Sequence, residues 1–144
     1  MRAEDLRNIA IDWLLGDDEI DSLLGDDGDV IPAAIAKESE AVPRVSVRAV
    51  STGSERDNQA EDKAYEVWVA VDATHGWVED NQVAGVDSLK SAVKDALTTS
   101  RDGWRATGIL TDDPVAPNDD INRYLGAVSF GFERKDTHAF YQET

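Results

Sequence analysis

Ala64-Tyr65-Glu66-Val67-Trp68-Val69-Ala70-Val71-Asp72-Ala73 is the stretch on which the fold turns. Tyr65, Val67, Val69 and Val71 share one face, while Glu66, Trp68, Ala70 and Asp72 share the other. That period of two is the signature of a strand, and its valines favour a pleated, half-buried surface. A strand buried on one face and partly wet on the other belongs to an antiparallel sheet. Upstream, beyond Pro43, Val45, Val47 and Ala49 alternate with Arg44, Ser46 and Arg48 and predict a partner strand. Between the two lies Ser51 to Lys63, polar throughout, so the pair reads as an antiparallel hairpin with a long tip. Long connections of this kind tend to be functional or disordered.

Downstream, the spacing predicts a helix over Val86 to Ser100. Val86, Leu89, Val93, Ala96 and Leu97 form its apolar stripe, with Lys90, Lys94 and Asp95 expected to face water. Asp87 or Ser88 can cap its start, and Gly103 stands where a C-terminal stop belongs. Trp104 to Leu110 reads as a strand containing Gly108. Thr111 to Asp120 holds two prolines and no periodicity, and reads as a loop. A final strand is expected over Ile121 to Glu133, with Tyr124, Gly126, Val128, Phe130 and Phe132 on one face. At the other end of the chain, Leu6, Ile9, Ala10, Trp13 and Leu14 stripe a helix from Glu4 to Leu15, closed by Gly16. A shorter helix follows over Glu19 to Leu24, then a turn over Asp26 to Asp29. Ile31 to Ala36, with Pro32 near its start, reads as one helical turn.

This order predicts an α+β fold. Its core is an antiparallel four-stranded sheet made of two hairpins, with the central amphipathic helix and the N-terminal helix packed on one face. The 144 residues suit a single domain: a helical part over 1–42, a sheet-helix core over 43–134 and a tail over 135–144.

Thirty acidic residues against fourteen basic ones give a formal charge of −16. Such a surface repels itself in dilute buffer, and self-repulsion opposes compactness. In molar salt the Debye length falls to about 3 Å and the repulsion fades. The acids are mostly Asp and the bases mostly Arg, a balance that resembles the proteins of salt-accumulating haloarchaea. The arginines are scattered singly, whereas a grip on nucleic-acid phosphates needs them clustered. No apolar run approaches the roughly 20 residues of a membrane span, and Met1-Arg2-Ala3-Glu4-Asp5 does not read as a signal peptide. The chain has no cysteine, which excludes disulfides, thiolate chemistry and cysteine-ligated zinc.

No catalytic, metal or cofactor-binding residues emerge. There is no phosphate-cradling glycine loop followed by Lys and Ser or Thr. Ser129 lies between Gly126 and Gly131 at the wrong spacing for a nucleophile elbow, inside an alternating strand where a packed serine is expected. His75 and His138 form no metal-binding pair, and a turn histidine accounts for His75. The acids of Asp26 to Asp29, and Asp112, Asp113, Asp119 and Asp120, lack calcium-loop spacing and read as solvated loops. Trp13 and Trp104 read as core. Trp68 projects to the polar side of its strand and Trp77 falls in a loop. An aromatic on a wet face is either an interface anchor or is covered within the same chain.

In sum these elements resemble the tail terminator, or tail completion, proteins of long-tailed viruses. The resemblance spans most of the chain: the helix ending in Trp13-Leu14-Leu15-Gly16-Asp17-Asp18-Glu19-Ile20, then Leu23-Leu24-Gly25. It continues through Val42-Pro43-Arg44-Val45-Ser46-Val47, Glu66-Val67-Trp68-Val69-Ala70-Val71 and the closing Arg123-Tyr124-Leu125-Gly126-Ala127-Val128-Ser129-Phe130. It implies a structural, non-enzymatic virion protein, assembled in the host cytoplasm and placed in the tail or neck. Such proteins form a ring, commonly of six copies, that caps the head-proximal end of the tail tube. Its partners would be itself, the tail tube protein and the head-tail connector protein, with DNA only as cargo passing through the lumen. The acidic segment Asp17 to Asp29 departs from the family pattern.

A cyclic ring uses heterologous contacts, and sheet edges, loops and tails are their natural suppliers. The expected interface residues are Ser54, Glu55, Arg56 and Asp57 in the hairpin tip, Trp68, Trp77, Asp112, Asp113, Asp119 and Asp120, and Phe140 and Tyr141 in the tail. Acidic tip residues facing a lumen would ease DNA passage. The competing readings are a stopper or adaptor of the same connector, and an acidic regulatory protein mimicking DNA. Adaptors are mostly helical and stoppers small β-barrels. A mimic needs its carboxylates arrayed on one face, whereas these spread over every loop.

Overall fold

In the computed structural model, which describes residues 2–52 and 63–134, the Tyr65 alternation sits in the middle of the sheet. Strand β3 (Lys63–Thr74) pairs antiparallel on one side with β2 (Arg44–Ser51) and on the other with β5 (Arg123–Arg134). Strand β4 (Trp104–Asn118) borders β5 antiparallel, and β1 (Asp29–Pro32) borders β2 in parallel. The sheet is therefore five-stranded and mixed, in the order β1-β2-β3-β5-β4, rather than four-stranded and antiparallel. Sequence reading missed β1 because four residues, one of them proline, carry no periodicity. The expected helical turn begins only after it, as a 3-10 turn over Ala33–Glu38.

Tyr65, Val67, Val69, Val71 and Ala73 are buried against Val45 and Val47 of β2 and Val128, Phe130 and Phe132 of β5. Over them lie α1 (Ala3–Leu15), α2 (Asp18–Leu24) and α3 (His75–Leu97). Of the expected α1 stripe Leu6, Ala10, Trp13 and Leu14 are buried and Ile9 is half-buried, and the α3 stripe of Val86, Leu89, Val93, Ala96 and Leu97 is buried throughout. Each such side chain contributes about 1.5–3 kcal/mol when fully removed from water. Asp17 caps α2 by accepting the Ile20 N–H at 3.0 Å.

The bounds of three other elements differ from expectation by two residues or more. Helix α3 begins at His75, where Thr74 caps it by accepting the Trp77 N–H at 3.2 Å, and ends at Leu97. A break at Gln82 (φ 64°, ψ 166°) divides its first turns from the amphipathic part, so Asp87 and Ser88 are interior positions and Trp77 is helical rather than in a loop. Strand β4 runs through the expected loop to Asn118, and the last strand starts at Arg123 rather than Ile121. An edge strand needs only one set of its amides paired, which is why Pro114 and Pro117 can sit in it.

Candidate assembly surfaces

Three features could meet a partner: the β4 edge, the sheet face opposite the helices, and the edge formed by β1 and β2. The β4 edge is built irregularly. Its register against β5 shifts between Ala106 and Gly108, between Ile109 and Thr111, and between Asp113 and Ala116. Gly108, at φ 115°, supplies the first of these bulges in a conformation that L side chains rarely adopt. Bulges twist an edge and expose what it carries. Ile109 is 41% exposed and Leu110 is 52% exposed, a pair the sequence reading placed in a strand without marking as exposed.

The four aspartates of this region have separate roles. Asp112 is anchored: Lys94 Nζ donates to its Oδ2 at 2.6 Å, and Lys90 Nζ pairs with its Oδ1. Both lysine hydrogen bonds, the Lys90 one foremost, hold the Asp112 carboxyl below the usual aspartate range. Lys90 also donates to the Asp113 carbonyl at 2.7 Å and is only 7% exposed, so the expectation that it faces water fails. The reason is tertiary: the β4 strand passes over that side of α3 and supplies the acceptors. The Asp113 side chain is exposed on β4. Asp119 and Asp120 are exposed in the turn that follows, where Asn118 Oδ1 accepts the Asp120 N–H at 3.0 Å.

The tryptophans do not converge. Trp68 is half-buried on the sheet face opposite the helices; its Nε1 donates to Glu66 at 3.2 Å, and Arg48 lies over its ring at 5.6 Å. It borders a shallow hollow of about 130 Å³ floored by Ser46, Ala70 and Ala127. Trp77 packs against the core on the helix side. Trp13 and Trp104 are core, with Trp13 Nε1 donating to Asp102 at 2.8 Å. Ser54, Glu55, Arg56, Asp57, Phe140 and Tyr141 lie outside the described residues, as does His138.

Sequence reading also missed a buried polar cluster. Asp72 sits opposite Arg44 in the β2–β3 register, with a side chain only 4% exposed. Its Oδ2 accepts from Arg44 Nε at 3.1 Å and its Oδ1 from Arg123 Nη1 at 2.5 Å. The same guanidiniums donate to backbone: Arg44 to the Ala36 carbonyl, and Arg123 to the Ala41 carbonyl at 3.4 Å. One carboxylate thus ties β2, β3 and β5 to the segment that follows the 3-10 turn. The cluster fixes where that segment leaves the sheet.

At this far edge β1 pairs only with Arg44 to Val47, because the chain turns away after Pro32. Strand β2 continues to Ser51 with no strand beside it among the described residues. A notch of about 280 Å³ opens there, bounded by Arg7 on α1, Ala33 and Ala34, and Arg48 and Ala49 on β2. Glu4 also lines it and is paired with Arg2 at 2.8 Å. Arg7 donates to Asn8 Oδ1, at 3.1 Å from Nε and 2.9 Å from Nη2, and neither it nor Arg48 meets a carboxylate among the described residues.

Among the described residues Ser129 and His75 have packing roles. Ser129 is fully buried with its hydroxyl 2.7 Å from that of Thr111, and His75 stacks edge-on against Tyr124 at 5.0 Å. Burial pushes the Tyr65 hydroxyl up from its ordinary value, within the core. Among the described residues no three His, Asp or Glu side chains gather as a metal ion would need, and no helix is long and apolar enough to cross a membrane.

No protein-family model matches the chain, and no curated protein does. Solved structures do. One is a chain in the virion of a native gene transfer agent particle, similar at a TM-score of 0.62 and 16% identity, over 87% of this chain and 90% of that one. Another is the gp17 protein of bacteriophage SPP1, at a TM-score of 0.47 and 15% identity, over 90% and 88% of the two chains. At such identities the likeness is one of fold, and it extends over nearly the whole chain.

Proposed function

We propose that this chain is a structural virion protein, a tail terminator that forms a ring at the head-proximal end of a tail tube and joins it to the head-tail connector. The observation that carries the reading is the likeness of fold, over 87% of the chain, to a chain that itself belongs to a virion. Two further features support it. Two ion-pair clusters among the described residues, around Asp72 and in the Lys90–Asp112–Lys94 latch, hold strands and segments together. Among the described residues both edges of the sheet, meanwhile, keep open backbone and exposed side chains, which is what assembly requires.

In this reading the partners are further copies of the chain, six by the family's habit, together with the tube protein and the connector. DNA is cargo in the lumen. The charge of −16 suits an assembly that forms in concentrated salt, where like charges on neighbouring copies are screened. Another connector component, a stopper or adaptor, shares the virion setting and is separated by position. The test is immunogold labelling of purified particles together with deletion of the gene. A terminator labels the neck, and its loss leaves headless tubes of uncontrolled length. Label elsewhere, or intact particles without the protein, overturns the proposal.

A further inference from the structure

The two edges of the sheet are unlike, and their differences are complementary. At one edge, the stretch Ile109 to Asp113 of β4 offers a half-exposed isoleucine and an aspartate whose carboxylate meets no cation among the described residues. Beyond it Pro114 and Pro117 have no N–H to give, so any strand pairing along this edge stops at Asp113. At the other edge, past the end of β1, β2 offers Arg48 to Ser51 with no strand beside it among the described residues, flanked by the notch where Arg7 and Arg48 outnumber Glu4, itself paired with Arg2, and where Ala33, Ala34 and Ala49 are apolar. In a chain of net charge −16, two guanidiniums at one sheet edge that meet no carboxylate among the described residues stand out.

The faces match as well as the charges. Ile109 stands opposite Phe130 in register and so shares the helix-side face, the face on which Arg7 and Ala49 border the notch. Asp113 stands opposite Ala127 on the outer face, where Arg48 lies over Trp68. Because of the bulge after Ile109, Ile109 and Asp113 stand opposite residues only three apart on β5, about 10 Å along the sheet, and the four β2 residues Arg48 to Ser51 span about as much. From β2 through β3 and β5 to β4 there are three spacings of about 4.8 Å, so the two docking edges lie roughly 14 Å from each other on opposite sides of the subunit.

We infer that the Ile109–Asp113 stretch of one copy docks on the free half of β2 in the next copy, Asp113 meeting Arg48 at the rim of the notch and Ile109 lying on the helix-side face toward Ser51, so that the sheet continues from subunit to subunit. The contact is heterologous, since one patch meets a different patch, and repeated contacts of this kind close a ring. Strand addition supplies the backbone hydrogen bonds, and the basic notch sets register and direction. Clusters of like charge on the two wrong edges, basic against basic and acidic against acidic, keep the contact from forming head to head. The inference rests on the proposed ring and names its interface.

The absence of cysteine provides a direct test. A chain carrying Arg48→Cys and Asp113→Cys, oxidised in molar KCl, should give a disulfide ladder reaching well past the dimer, while either single variant should not. Charge reversal supplies the second arm. Arg7→Glu with Arg48→Glu, or Asp113→Arg alone, should each weaken self-association at least about tenfold, because like charges then face each other. Mixing the two variants should restore assembly, since reversed edges fit each other and the untouched edges still fit. All three positions are at the surface, and folding is checked by melting. Wild-type rings with no ladder and no effect of reversal overturn this interface and leave the ring standing. A wild type that never self-associates overturns both.

Discussion

Replacing Asp72 with alanine should remove the polar keystone of the far sheet edge. Its two oxygens accept from Arg44 and Arg123, at 3.1 and 2.5 Å, and the two arginine side chains are themselves only 10% and 14% exposed. A hydrogen bond to a charged group contributes about 1.5–3 kcal/mol. Two such bonds set an upper bound near 6 kcal/mol, and breaking a buried pair by removing one partner costs about 3–5 kcal/mol. The loss is mostly the desolvation of two guanidiniums left with carbonyls alone, so adding Arg123→Met to Asp72→Ala should recover part of it. A domain has only about 5–15 kcal/mol in total. The assay is urea unfolding at constant molar KCl, followed by the fluorescence of the four tryptophans. With a slope of about 2 kcal/mol per molar urea, the midpoint should fall by about 2 M. A loss under about 1 kcal/mol would refute the view that this carboxylate holds β2, β3 and β5 together.

Three other outcomes follow from the same coordinates. Gly131→Ala places a methyl about where the Thr107 Oγ1 sits, 2.2 Å away, and should cost about 1–3 kcal/mol in urea unfolding; Thr107→Ala in the same chain should relieve most of it. Because Asp112 has a lowered pKa in the folded state, the latch stabilises above the ordinary carboxylate range and is lost as pH falls through and below it. Melting of the wild type should therefore drop faster below pH 4 than that of Asp112→Asn, and parallel acid profiles would count against the latch. Trp13→Phe loses the bond to Asp102 and should cost about 1 kcal/mol, read by the same urea titration, with no change expected if that bond carries nothing.

What could be read from sequence was whatever a local period dictates. The alternation about Tyr65, the stripes on α1 and the second part of α3, and the Phe130 face of β5 each fix a burial pattern on their own. What escaped depends on neighbours. Strand β1 exists because β2 is beside it, and Asp29 to Pro32 have no pattern without that partner. The second half of β4 looked like a loop because proline and aspartate disfavour strands, a preference that an edge position suspends. Lys90 falls beside the apolar stripe of its helix, a position that by local spacing alone faces water, yet the strand that covers it comes from more than twenty positions downstream. The interface candidates fared similarly. Asp112 and Asp113 were singled out as acids, but only the fold separates the anchored carboxylate from the exposed one. Arg7 and Arg48, single charges on separate elements, become neighbours only when α1 packs against β2.

The most direct trial of the whole reading is the mass of the purified protein in molar KCl by light scattering, across a range of concentrations. Assembly through unlike edges predicts a closed species at a fixed multiple of the 15.7 kDa chain, visible as rings by electron microscopy. A mass of one chain at every concentration, with and without the tube protein added, would contradict it.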